Sequence, residues 1–336
     1  MFHKSWLDFK EEVYSRSRFY NERAQSFLND IFDGIDQLRT TSNEPIIKDL
    51  PENEIFYRAR IALNEDELYK ILADQPEQIG PPAPQFANAG RMNAQGIGVF
   101  YGAFDKNVCI AEVRPPVGCH VVIGSFKPLR VLRLLDLPKL ESVYPEGSLF
   151  DPDHVLNIKR VSFIKNLVEQ VSMPVMPGEE SKLYLPTQVI SEYWHSRFNI
   201  DGVIFKSSQV DGEQRDLRNI VIFNRSCRVQ PHTLPPNTKV EVTSYMGDPD
   251  DPDYSITIWE STDIAPEEEE KEPTFLDVWP DEESHKENGL EEREENLVQL
   301  IDKTEVYRIN AVAYSTVERH TSRHRSERNS KLSPDF

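Results

Sequence analysis

Apolar residues at the start of the chain recur at helical spacing. Trp6, Phe9 and Val13, then Phe19, Phe27, Leu28, Ile31, Phe32, Ile35 and Leu38, fall three, four and seven apart, which predicts helices within residues 1–45. Ser5 is placed to cap the first, and Thr41, Ser42 and Asn43 followed by Pro45 are expected to end the second. From Glu54 the period changes. Short apolar runs between turn residues predict strands in EIFYRARI (54–61), GIGVFYGAF (96–104), GCHVVIGSF (118–126), RVLRLLDL (130–137), GVIFKSS (202–208) and NIVIFN (219–224). Helices fit between them at Glu65 to Ala73, Asn107 to Val113, Asp153 to Gln170, and Thr187 to Phe198, the last with Thr187 as N-cap after Pro186. Further on, Tyr254 to Trp259 reads as a strand and 291–300 as a short acidic helix. Residues 305–315 read as a strand that returns to join a sheet. Strands with single interspersed helices and little βαβ repetition predict an α+β fold.

These patterns divide the chain into a helical N-terminal segment (1–50), a main domain (51–245), an acidic, proline-containing and partly disordered insertion (246–300), and a returning strand with a basic tail (301–336). Charge sharpens that division. Of a net −19 over 336 residues, residues 247–300 carry −17, with 20 acids and 3 bases. The remainder is close to neutral, so nothing points to a nucleic-acid partner. Such an acidic stretch reads as a solvated spacer. The apolar runs are too short to span a bilayer, and the N-terminus lacks the apolar core of a signal peptide. Cys109, Cys119 and Cys227 form no CxxC pair, so neither a metal site nor a disulfide framework is expected. The expectation is a cytoplasmic protein, with homo-oligomerisation compatible.

Four segments place polar residues where a strand ordinarily has none. In EIFYRARI, Arg58 and Arg60 alternate with apolar residues and share one face. In GRMNAQGIGVFYGAFDKNVCIAEV (90–113), Gly90, Gly96 and Gly98 permit tight turns and Asn93 is placed to brace one. Arg91 follows the first glycine, Tyr101 ends the apolar strand, and Glu112 ends a short amphipathic helix. Ser207 and Ser208 close one strand and Asn219 opens another, positions that turn chemistry alone explains. Neither serine has a hydrolase GxSxG setting.

Together these segments resemble the RES domain, a family named for its Arg, Glu and Ser residues. The resemblance runs from about Ile55 to Phe223, and its most specific part is the GRMNAQGIGVFYGA…AEV block. Met92 stands where the family usually has Trp, and the interval from Gly118 to Thr187 is longer than in compact members. The resemblance implies an ADP-ribosyltransferase-like core of two small sheets with flanking helices, and a toxin that degrades NAD, its substrate. It also implies an antitoxin partner. The family's positions fall on Arg58, Arg91, Tyr101, Glu112 and Ser207, with Ser208 a neighbouring rival for the last. In that reading Glu112 stabilises the developing ribose cation, with Tyr101 and Arg58 beside it as catalytic residues. Arg58 and Arg91 hold the pyrophosphate with Arg60 in reserve, Tyr101 stacks on nicotinamide, and Ser207 fixes the carboxamide or ribose. ADP-ribose passes to water or phosphate. Transfer to a protein side chain, or a nucleotide-binding module without turnover, are the alternative readings. The N-terminal SWLDFKEEVYSRSRFYNERAQSFLNDIF also resembles a HEPN-type helical segment. Arg16, Arg18 and Arg23 lack the following histidine of HEPN ribonucleases, so no ribonuclease activity is expected from it.

Overall fold

Strands whose side chains alternate between two apolar environments need a core on each face, and the main sheet of this chain has them. The computed structural model describes residues 2–16, 20–145, 148, 150, 152–173, 178–179, 183–210, 217–244, 255–263, 293–314 and 316–325. The sheet contains β1 (Ile47–Leu50), β2 (Phe56–Ala62), β3 (Phe100–Ala103), β4 (His120–Pro128), β5 (Leu132–Asp136), β6 (Gly202–Lys206), β7 (Arg218–Ile222), β10 (Leu297–Gln299) and β11 (Glu305–Arg308). Their order is β1-β5-β6-β7-β3-β2-β4-β10, with β11 also on β4. Only β5 and β6 run parallel among the pairs described. β8 (Thr238–Ser244) and β9 (Ile256–Thr262) form a separate two-stranded ribbon. The architecture is α+β, with one nine-stranded sheet and a two-stranded ribbon in place of the two small sheets expected.

On one face, α1 (Phe2–Ser15), α2 (Glu22–Phe32), α6 (Pro152–Ser172) and α7 (Leu185–Phe198) bury Trp6, Phe9, Leu28, Phe32, Ile164 and Trp194 against Val203, Phe205 and Val221. The opposite face carries α3 (Glu65–Ala73), α4 (Gln75–Ile79) and the β8–β9 ribbon over Ile204, Ile220 and Ile222. Its centre is the aromatic trio Phe56, Phe100 and Phe126, with centroids 4.9–6.5 Å apart. Each such aromatic pair adds about 0.5–1.5 kcal/mol beyond area burial. α5 (Lys106–Val113) covers the β2–β4 part of the first face through Val108 and Cys109, which pack with Ala59, Val121 and Ile123.

The sheet is weakly joined at one place. β2 pairs with β4 over seven residues, but with β3 only at Tyr57 and Ala103. Gly102 is the close approach there, since a Cβ on it would sit 2.4 Å from the Tyr57 carbonyl oxygen. Beyond that point β2 and β3 diverge, leaving an opening between two half-sheets.

Several boundaries differ from the sequence reading. Ser5 lies inside α1, and α2 is capped by the Asn21 side chain and ends at Phe32, well before Thr41. Thr187 does not cap α7. The helix begins at Leu185, and the Thr187 hydroxyl donates to the Tyr184 carbonyl oxygen. The expected helix at 291–300 is replaced by strand β10, whose Leu297 and Gln299 are buried. Residues 305–308 return to the sheet as expected, antiparallel to β4. β1 and β8 were not anticipated. The part of the acidic insertion at 264–292, for which disorder was expected, lies outside the described residues. No helix among the described residues is long and apolar enough to cross a membrane.

Candidate active site

The opening between β2 and β3 is the mouth of a cavity of about 230 Å³, lined by Arg58, Arg60, Tyr101, Cys109, Glu112, Phe205 and Asn219 among others. Sheet register accounts for much of this set. Ala103 pairs with Asn219, and Asn219 with Phe205, so the three side chains form one row across β3, β7 and β6. Ser207 lies two residues past Phe205 and therefore shares its face. Its N–H continues the ladder by donating to the Leu217 carbonyl at 2.8 Å.

Glu112 reaches this row from α5. Asp105 caps that helix by accepting from the N–H groups of Asn107 and Val108, and buried Val108 turns the following residue four positions on, Glu112, toward the sheet. The Ser207 hydroxyl and the Asn219 side-chain amide each donate to Glu112 Oε1 at 2.7 Å. Oε2 has no hydrogen-bond partner among the described residues. Glu112 is exposed, while Ser207 and Asn219 are buried. The carboxylate is thus held from behind with one oxygen presented to the cavity. Ser208 is exposed and accepts from the Gln209 side chain.

Arg58 is 7% exposed and has no carboxylate partner among the described residues. It donates to the Tyr101 carbonyl oxygen at 2.8 Å and lies over the Phe100 ring at 5.2 Å, while its buried Nε has no partner among the described residues. Burial, then the charge of Arg60, pulls its guanidinium down to about 9, so it remains protonated at neutral pH. Arg60 is engaged by α4, donating to the carbonyl oxygens of Gln78 and Gly80.

Tyr101 lines the cavity with its ring, and its hydroxyl is committed elsewhere. It accepts from the Met92 N–H and donates to Asn93 Oδ1, both at 2.9 Å. Asn93 braces the turn by donating to the carbonyl oxygens of Asn88, Ala94 and Ile97. Burial raises the Tyr101 phenol above its ordinary value. A side chain at Gly90 would fall 2.6 Å from the Tyr101 hydroxyl, which explains the glycine.

Arg91 does not line the cavity. Its guanidinium donates to the Val171 and Met173 carbonyl oxygens at the end of α6 and lies over the Tyr184 ring at 5.7 Å. α7 holds the backbone on either side, with Gln188, Thr187 and Ser191 donating to the carbonyl oxygens of Gly90, Arg91 and Met92. The structure therefore brings together Arg58, Tyr101 and Glu112, with Ser207 bonded behind Glu112, and sets Arg91 against the helical layer.

A family model for the RES domain matches residues 67–242, just over half of the chain. The chain belongs to the RES domain family. The matched span contains Arg91, Tyr101, Glu112, Ser207 and Asn219, while Arg58 precedes it and lines the same cavity as Tyr101, Glu112 and Asn219. Among solved structures, the chain is similar to one in the crystal structure of the M. tuberculosis MbcT-MbcA toxin-antitoxin complex. The match has 14% identity and a TM-score of 0.30, covering 60% of this chain and 86% of that one, a likeness too remote to bear on the site. No curated protein matches the chain.

Phe205, Cys109 and the role of Asn219 were missed in the sequence. Phe205 and Cys109 look like ordinary core positions. Burial pushes the Cys109 thiol up to about 12, which keeps it an unreactive wall of the cavity. For Asn219 a signal existed in the amide that opens the otherwise apolar NIVIF, but its partner Glu112 is 107 residues away.

Proposed function

We propose that this RES domain cleaves the bond between nicotinamide and ribose in NAD and passes ADP-ribose to water or phosphate. The observation that carries the reading is the Glu112 carboxylate, held by Ser207 and Asn219 in the same cavity as a buried, carboxylate-free arginine and two aromatic rings. Nicotinamide leaves with the glycosidic electron pair, which neutralises its ring nitrogen and leaves an oxocarbenium-like ribose. Glu112 Oε2 stabilises that positive charge where it develops, and needs no reorganisation because Oε1 is already tied. Water or phosphate then forms the new bond to the anomeric carbon, and the attacking water loses its proton.

The cavity is smaller than the roughly 300–1,000 Å³ of pockets that enclose a drug-sized ligand. It suits the nicotinamide riboside end, with the pyrophosphate at the mouth. Arg58 offers the guanidinium for that anion, and Tyr101 and Phe205 offer rings to flank the pyridinium. The two half-sheets meeting at one residue pair fit an ADP-ribosyltransferase-like core with its cleft at the join. Arg91 contributes by fixing the end of α6 and the segment that secures Tyr101, and bonds the pyrophosphate only if it leaves those carbonyls. An antitoxin protein that covers this mouth is the partner implied by the family resemblance.

The test is to incubate the purified chain with NAD, with and without inorganic phosphate, and weigh the products. Nicotinamide with ADP-ribose indicates water as acceptor, and nicotinamide with phosphorylated ADP-ribose indicates phosphate. Unchanged NAD at high protein concentration would refute the proposal.

A further inference from the structure

We propose that Asn219 determines substrate specificity in this cleft, its side-chain oxygen accepting a hydrogen bond from the reacting end of the dinucleotide. The inference rests on the NAD-cleaving reading and adds a residue and a chemical demand to it.

The orientation of the Asn219 amide follows from its neighbour. A carboxylate only accepts, so the amide must turn its NH2 group toward Glu112, as it does at 2.7 Å. Its Oδ1 is thereby directed away from Glu112. That oxygen is buried in a residue only 3% exposed, and no donor among the described residues reaches it. Leaving a buried acceptor unsatisfied costs about 1–3 kcal/mol. An Asn at the cavity wall keeps that unmet demand for a donor that arrives with the ligand and shifts the groups now covering Oδ1. The nearest wall groups do not supply it: Phe205 and Ala103 flank Asn219 in the register row, and the Ser207 hydroxyl hydrogen is spent on Glu112.

The reacting end of NAD carries two kinds of donor, the N–H bonds of the carboxamide and the O–H bonds of the ribose. Both satisfy an oxygen acceptor. A dinucleotide bearing a carboxylate in place of the carboxamide satisfies it less well, because that group sets negative charge beside Asn219 Oδ1 and Glu112. The cleft is therefore built to prefer donor-bearing substrate over acceptor-bearing analogues. A site that hydrogen-bonds a substrate group rejects the analogue lacking it more strongly than an apolar pocket does.

The experiment compares kcat/KM for four substrates: NAD, the analogue with a methyl ketone in place of the carboxamide, and the analogues lacking the 2′- or the 3′-hydroxyl of the nicotinamide ribose. Each is measured with the wild-type chain and with Asn219→Ala. At least a tenfold preference for NAD over one analogue is expected in the wild type, falling to near unity in Asn219→Ala, and the analogue affected identifies the donor. Asn219→Ser serves as the second variant should the alanine protein fail to fold, with circular dichroism as the check. If NAD is cleaved but all three preferences are the same in wild type and variant, Asn219 does not read the substrate and only this inference falls. If the wild type leaves NAD intact, the parent reading falls and takes this one with it.

Discussion

Arg58 has the least ordinary surroundings of any charged residue in the cleft. It is buried without a counter-ion among the described residues, and its ordinary ionisation is pulled down to about 9. In the proposed reading a bound pyrophosphate would supply the missing negative charge, so affinity for NAD is expected to fall as pH rises through about 9, seen as a rising KM. The same group affects stability in the opposite sense. Between about 9 and its higher unfolded value, the unfolded chain binds more protons, so this contribution to stability grows with pH. An alkaline loss of affinity without loss of thermal stability is the expected pair, read by kinetics and by calorimetry. A KM flat from pH 7 to 10 would show that Arg58 keeps its proton throughout that range. The gathering of Arg58, Tyr101 and Glu112 in one cavity was legible, because they interrupt apolar runs. Arg91 was less so, since nothing in its local sequence shows that its guanidinium meets carbonyls of residues 80 and 82 positions away.

Among elements, the turn from Gly90 to Asn93 governs how Tyr101 is held. Gly90→Ala would drive a methyl group into the Asn93 oxygen and the Tyr101 hydroxyl, at 2.4 and 2.6 Å. The neighbours must shift, at a cost of about 1–3 kcal/mol for overpacking. A lowered melting temperature together with reduced NAD turnover is expected, whereas reduced stability with full turnover would show that Tyr101 need not be held. The strands with clear runs, such as HVVIGSF and GVIFK, were readable because both faces are buried and the pattern is local. β10 was not. Its three residues sit in EENLVQLI, where Leu297, Leu300 and Ile301 have helical spacing, and the strand forms because β4 offers a free edge.

In the whole molecule, that edge is closed by the last residues of the acidic insertion and the chain that follows them. β10 and β11 cover Phe126–Pro128 and His120–Ile123 of β4 in turn, with a single turn at Ile301–Lys303 between them. Truncation after residue 292 is expected to expose that edge and to remove fully buried Leu297, whose loss alone is worth about 2–5 kcal/mol. The truncated chain should aggregate on sizing chromatography, whereas a soluble truncated form as stable as the full chain would show that the returning strand is dispensable. Charge partition along the sequence marked the acidic stretch as separate, but the completion of the sheet by its end and the chain after it depends on strand pairs 169 to 188 residues apart. Glu112 is tested by the nicotinamide released from NAD by the wild type and by Glu112→Gln, with circular dichroism confirming equal folding. Loss of a developing-charge stabiliser predicts a fall of about 10²–10³-fold or more in kcat, and equal release from both proteins would contradict the account.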